Sequence, residues 1–280
     1  MDRILVASKR GILGIVDNKK SSILDYQIPG IRKFILNAND IFAISSDLNE
    51  IVKISAIDLK YNDSLAVGSM PVDFLIKNND CYISCSQAQN IMKIDINSFS
   101  YKINHTLKGY PNKICDFKSY IYVLNMPMGY VTFFNDELSI VKSVKLKGIP
   151  VLTAKLNDNK MLVFCIIKNK TMIYCLDQRL DIISIEIVDV SISSVCKIDE
   201  HIIAFLQIKD NLISLYDVDS KTIFKKAETN KSPKEIAYDK NSNLLYTCCI
   251  DSDCIDCYDM LLNRINTIAT IKKPSTMLIL

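Results

Sequence analysis

Short runs rich in β-branched and aromatic residues recur along the chain at a nearly even interval. They read Ile4-Leu5-Val6-Ala7, Ile41-Phe42-Ala43-Ile44, Cys81-Tyr82-Ile83-Ser84, Ile121-Tyr122-Val123-Leu124, Leu162-Val163-Phe164, Ile203-Ala204-Phe205 and Leu245-Tyr246-Thr247. Such residues suit a pleated, buried surface, so each run predicts a strand. Polar pairs such as Asn78-Asn79 and Asn157-Asp158 precede some of these runs and predict hairpin turns. Long helical periodicity is absent.

Two anchors fix the period. The first is a proline turn: Pro29-Gly30, Gly68-Ser69-Met70-Pro71, Gly109-Tyr110-Pro111, Gly148-Ile149-Pro150, Ser232-Pro233 and Lys273-Pro274, with Ile192-Ser193 at the eroded position. Prolines 71, 111 and 150 lie 40 and 39 apart, and 233 to 274 is 41. The second is an aspartate closing an alternating run: Val16-Asp17, Ile57-Asp58, Ile94-Asp95, Asn135-Asp136, Leu176-Asp177, Tyr216-Asp217 and Tyr258-Asp259. Two anchors in phase over the whole chain predict seven copies of a unit of four short antiparallel strands. That is the pattern of an all-β, seven-bladed β-propeller spanning 1–280 as one domain. Blades should begin near Ile31, Val72, Asn112, Val151, Ile192 and Lys234. Arg3 to Ser8 matches a second strand and Ser275 to Leu280 a first, so the closing blade should combine the N-terminal strands with the C-terminal one.

The repeats resemble the YVTN-repeat, YncE-like family of seven-bladed propellers. Tyr122-Val123-Leu124-Asn125 is one residue from Tyr-Val-Thr-Asn. Ile54-Ser55-Ala56-Ile57-Asp58 is similar to the family's Val-x-Val-Ile-Asp strand, and Gly68-Ser69-Met70-Pro71 to its Gly-x-x-Pro turn. The resemblance covers the chain with degenerate copies, and it implies a fold rather than a chemistry. The signatures of WD40 repeats, a related kind of blade, are absent.

Composition narrows the partners. With 34 basic and 31 acidic residues intermixed, the net charge of +3 gives no strong nucleic-acid signal. No apolar run approaches the length of a membrane helix, and the first residues do not read as a secretory signal. A cytoplasmic chain with reduced thiols is the expectation for the ten cysteines, and the Lys, Asn and Ile usage suggests a bacterial, AT-rich source.

Candidate chemistry is sparse. Just past each proline turn stand Lys33, Asp73, Lys113, Thr153, Ser194, Glu235 and Thr276, which should ring the channel mouth and could hold a small polar ligand. Asp73 and Lys113 should meet from adjacent blades. Met126, Met128 and Tyr130 in one loop form a candidate partner-binding patch. Cys248, Cys249, Cys254 and Cys257 could suggest a metal or redox role. In a strand, however, Cys254 and Cys257 point to opposite faces, so no metal is expected and only a Cys249–Cys254 contact across the hairpin stays open. Asp251, Asp253, Asp256 and Asp259 read as solvated hairpin acids. His105, on an outer strand, and His201, near a hairpin turn, have no partner motif. Lys142, Lys145, Lys147, Lys225 and Lys226 read as charges that keep outer edges from pairing. These features together read as a non-catalytic binding or scaffolding propeller, not an enzyme and without cofactors, that engages another protein through its loops or channel mouth. The alternative is a lactonase-like hydrolase or small-ligand propeller with its site at that mouth. A quinone- or haem-dependent redox propeller is disfavoured by the absence of tryptophan and of Cys-x-x-Cys-His.

Overall fold

The computed structural model describes residues 3–17 and 20–280. Among these residues the strands form seven four-stranded antiparallel sheets, the blades of a β-propeller. Six blades are simple meanders whose first strands are Ile31–Asn37, Pro71–Lys77, Tyr110–Phe117, Ile149–Lys155, Ser194–Lys197 and Pro233–Asp239, numbered here blades 1 to 6. These starts fall within two residues of those expected from the repeat. Where the proline turn is eroded, in blade 5, the first strand shortens to four residues.

Blade 7 is composite. Pro274–Ile279 pairs antiparallel with Ile4–Ser8, placing Ile279 opposite Ile4, Leu278 opposite Leu5 and Met277 opposite Val6. Ile12–Asp17 and Lys20–Gln27 complete it. The two ends of the chain therefore share one sheet, and the Leu280 N–H donates to the Arg3 carbonyl at 2.8 Å.

By contacts the chain forms two compact units. One comprises Gly30–Lys168 and Met172–Ile187, and the other Met1–Pro29, Asn169–Thr171 and Val188–Leu280. In the first, Phe117, Tyr122, Phe133, Val163 and Leu176 build one layer of core between blades 3 and 4. In the second, Ile4, Val16, Tyr246, Cys248, Ile255 and Cys257 pack between blades 6 and 7. Strand alternation makes this possible, since every blade has two buried faces and only its outermost strand is largely exposed.

The two sequence anchors have distinct jobs. The side chain at the end of the third strand folds the turn to the fourth; in blade 1 that residue is Ser55 and not the expected Asp58, and in blade 3 it is Asn135 and not Asp136. Asp95 accepts N–H bonds from Asn97 and Ser98 at 2.9 Å, Asp177 from Arg179 and Asp181, Asp217 from Ser220, and Asp259 from Leu261 and Asn263. Asn135 does the same with an amide oxygen. The proline turn is locked across the blade. Met70, Ser232 and Lys273 each precede a proline in left-handed conformation. Their N–H groups donate to the side chains of Asn49, Asn211 and Asp253, which are themselves left-handed, at 2.7 to 2.8 Å.

Candidate functional site

The innermost strands of blades 1, 2 and 3 lie side by side. Each contributes one charged residue two or three positions past the start of its strand. The Asp73 carboxylate is 1% exposed and stands between Lys33, whose Nζ lies 2.7 Å from Oδ1, and Lys113, whose Nζ lies 3.6 Å from Oδ2. Lys33 also donates to the Phe74 carbonyl at 2.8 Å. The Phe74 N–H donates to Oδ1 and the Ile114 N–H of the next blade to Oδ2. Burial pushes the Asp73 carboxyl up, but Lys113 and Lys33 outweigh it and hold it below the usual carboxylate range. Asp73 is thus a permanent anion with both oxygens engaged. The two lysine side chains are 31% and 36% exposed, and the three side chains together carry one net positive charge.

The other ring candidates fare differently. Thr153 leaves the charged group and bonds the Tyr122 hydroxyl at 2.6 Å and the Leu162 carbonyl at 2.9 Å. Ser194 is half-buried at the start of its strand. Glu235 accepts the Met277 N–H of blade 7 at 2.8 Å. Asp73 and Glu235 therefore share a role that spacing alone did not disclose: each carboxylate pins an N–H of the next blade's innermost strand. Thr276 is 2% exposed, and its hydroxyl makes no hydrogen bond.

The loop patch separates. Met126 and Pro127 line a surface depression of about 480 Å³ together with Met70, Gln87, Tyr110 and Ile149. Met128 is exposed. Tyr130 instead faces Lys145, whose ammonium lies 4.4 Å from its ring centre. Met70, Tyr110 and Ile149 each directly precede a proline at an innermost strand's start. The depression thus opens at the same end of these strands as Asp73 and Lys113, about 10 Å away by strand rise. His105 sits on the outer strand Ser100–Thr106 against the Phe134 ring. His201 lies in a hairpin turn with Nδ1 2.5 Å from Asp219, whose carboxylate raises its pKa.

In blade 6 the strands Leu244–Cys249 and Cys254–Tyr258 form a hairpin whose parity sorts the cysteines. Cys248 and Cys257 enter the core facing blade 7. Cys249 and Cys254 are opposite one another in register, on the other face, with Asp256. The ligand atoms of Cys249, Cys254 and Asp256 lie within 4.8 Å of one another, all buried. Asp256 is fully buried, which corrects the expectation of a solvated hairpin acid. It accepts from the Asn230 N–H and side-chain amide at 2.7 Å each and from the Thr267 hydroxyl at 2.8 Å. The Tyr258 hydroxyl, which donates to the Glu228 carbonyl at 2.8 Å, lies 3.2 Å away, and Arg264 lies 3.8 Å away. The bond to Cys254, burial and the Asp256 carboxylate push the Cys249 thiol up. Alternation from Cys254 through Asp256 to Tyr258 carried the signal for this buried acid. Its anchor Thr267 stands directly opposite it in the next strand of the same blade, while Asn230 comes from the segment before the blade's first strand, whose approach no local pattern shows.

No protein-family model matches the chain, and no curated protein matches it in sequence. Solved structures do. A protein from Lactobacillus plantarum superposes over 100% of this chain and 99% of its own with a TM-score of 0.84 at 12% identity. A putative 6-phosphogluconolactonase from Bacteroides fragilis covers 100% and 98% with a TM-score of 0.80 at 14% identity. A streptogramin B lyase covers 86% and 85% with a TM-score of 0.71 at 15% identity. The shared feature is the propeller fold. The expectation of a non-enzyme is corrected in one respect: the same architecture is found in a putative lactonase, a lyase and a dihydro-heme d1 dehydrogenase, so the fold is no ground for excluding catalysis. No helix among the described residues is long and apolar enough to cross a membrane.

Proposed function

We propose that this chain is a lactonase-like propeller that binds and hydrolyses a small anionic substrate at the innermost strands of blades 1 to 3. The observation that carries the reading is the Lys33–Asp73–Lys113 group. Two part-exposed lysine side chains are held by one saturated carboxylate, which leaves net positive charge where an anion can reach it. Fixed cations of this kind can hold a phosphate or carboxylate, or stabilise the oxyanion that develops when water adds to an ester carbonyl. Asp73 supplies orientation, and the apolar depression beside Tyr110 and Met126 supplies a wall for the uncharged part of the substrate. The likeness in fold to putative 6-phosphogluconolactonases agrees with this class of chemistry.

Turnover of neutral and phosphorylated sugar lactones tests it, with calorimetry on the corresponding sugar acids. The charged members should be hydrolysed or bound. Lys113→Met should weaken binding roughly tenfold or more, as expected for loss of one charge-assisted hydrogen bond. Absence of both turnover and binding across the panel overturns the reading, as does equal behaviour of Lys113→Met and the native chain.

A further inference from the structure

We propose that Cys249, Cys254 and Asp256 form a binding site for one divalent d10 cation, zinc being the biological candidate. The first support is geometry. Cys249 Sγ lies 3.5 Å from Asp256 Oδ2. A tetrahedral zinc ion with ordinary Zn–S and Zn–O bonds puts a sulfur and an oxygen about 3.6 Å apart. All three ligand atoms fall within 4.8 Å, so a small ion can reach them with minor side-chain rotation. The two thiols also flank the Ile250–Ser252 turn as a Cys-x4-Cys pair. Structural zinc sites draw their thiols from such turns.

The second support is charge. With both thiols protonated, the buried Asp256 carboxylate is balanced by Arg264 at 3.8 Å. If the cation binds, two S–H protons leave for solvent and two metal–sulfur bonds form. The dication and Arg264 then balance two thiolates and one carboxylate. Exchange of one dication for two protons leaves the net charge of the buried group at zero, so neither form buries an uncompensated charge.

The surrounding shell is the third support. Asp256 is held by Asn230 and Thr267, the kind of outer bonding that orients a ligating carboxylate. Thr247 stands opposite Asp256 in the ladder, is fully buried, and its hydroxyl makes no hydrogen bond. A water in the ion's fourth position would give that hydroxyl a partner.

The test is cobalt(II) titration of the full reduced chain, read by absorption. One equivalent should produce thiolate-to-cobalt charge transfer and the visible bands of a tetrahedral ion, with release of two protons, and zinc should abolish the bands. Cys254→Ser and Asp256→Asn should weaken binding more than tenfold, while Cys115→Ser should bind as the native chain does. No spectral change in the native chain at excess cobalt overturns the proposal. So do bands that survive Cys254→Ser, or a Cys249–Cys254 disulfide as the resting state of protein purified under reducing conditions. These outcomes are independent of lactone turnover, which rests on other residues.

Discussion

At the scale of single residues, the chain builds tight turns with little glycine. It has seven glycines, yet eighteen non-glycine residues among those described adopt left-handed backbone, among them Leu59, Phe99, Lys168 and Lys221. Each carries a steric cost that glycine avoids. Some are offset: Leu138, Leu180 and Leu262 bury their side chains, and Asn49 and Asn211 use theirs as acceptors. Lys168 is exposed with φ near 57°. Lys168→Gly should therefore raise stability by about 0.5–1 kcal/mol, the relief of strain exceeding the added freedom of the unfolded chain. Denaturant melts of the two proteins check this, and a destabilised variant would mean that the lysine side chain makes a compensating contact. Gly109 is the contrary case. Its φ is +103°, and a Cβ there would lie 2.3 Å from Asn125 Oδ1, so the turn leading to Pro111 admits no side chain.

At the scale of the blade, carboxylates do the recurring work. Hydrogen bonds from Lys102 and from the Ser98 and Asn97 N–H groups lower the Asp95 carboxyl, those from Ser55 and Lys60 take Asp58 down to about 2, and turn N–H groups lower Asp177 and Asp217. Asp73 is lowered by its two lysines despite burial. The sign follows from linkage. These groups hold protons more weakly in the folded chain than in the unfolded one, so their contribution is complete above about pH 4 and is lost as pH falls through the lowered values. Melting temperature should thus be level near neutrality and drop steeply below about pH 4. Asn135, an amide at the equivalent place in blade 3, does not titrate. Asp217→Asn should accordingly reduce the acid sensitivity while preserving the turn. A flat profile to pH 2.5 would contradict this account of the anchors.

At the scale of the whole molecule, closure is the decisive element. Removing residues 275–280 takes away the innermost strand of blade 7, strips the pairing from Ile4–Ser8 and removes the Met277 N–H that Glu235 accepts. Met277 and Thr276 are buried, while Leu278 to Leu280 are only partly so, less than an all-apolar tail suggests. The exposed edge and the lost burial of several side chains should lower the melting temperature by roughly 10 °C or more and promote aggregation. A truncated chain melting within a degree or two of the full one would show that the tail does not close the sheet.

The repeat phase alone determined the strand count, most of the turn anchors and the pairing of the two chain ends, because strand parity and turn chemistry are local and recur every 40 residues or so; Ser55 and Asn135 took the places expected of Asp58 and Asp136. It also placed Lys33, Asp73 and Lys113 at equivalent points of successive blades. Tertiary structure decided what those residues do. It joined Asp73 to Ile114 and Glu235 to Met277 as pins between blades, and took Thr153 away to Tyr122. It also buried Asp256 beside Cys249 and Cys254 under Asn230 and Thr267. The reason is physical. A contact within a hairpin depends on alternation that the sequence carries openly. A contact between blades depends on side chains some 40 positions apart meeting across a packed face, which no local pattern encodes.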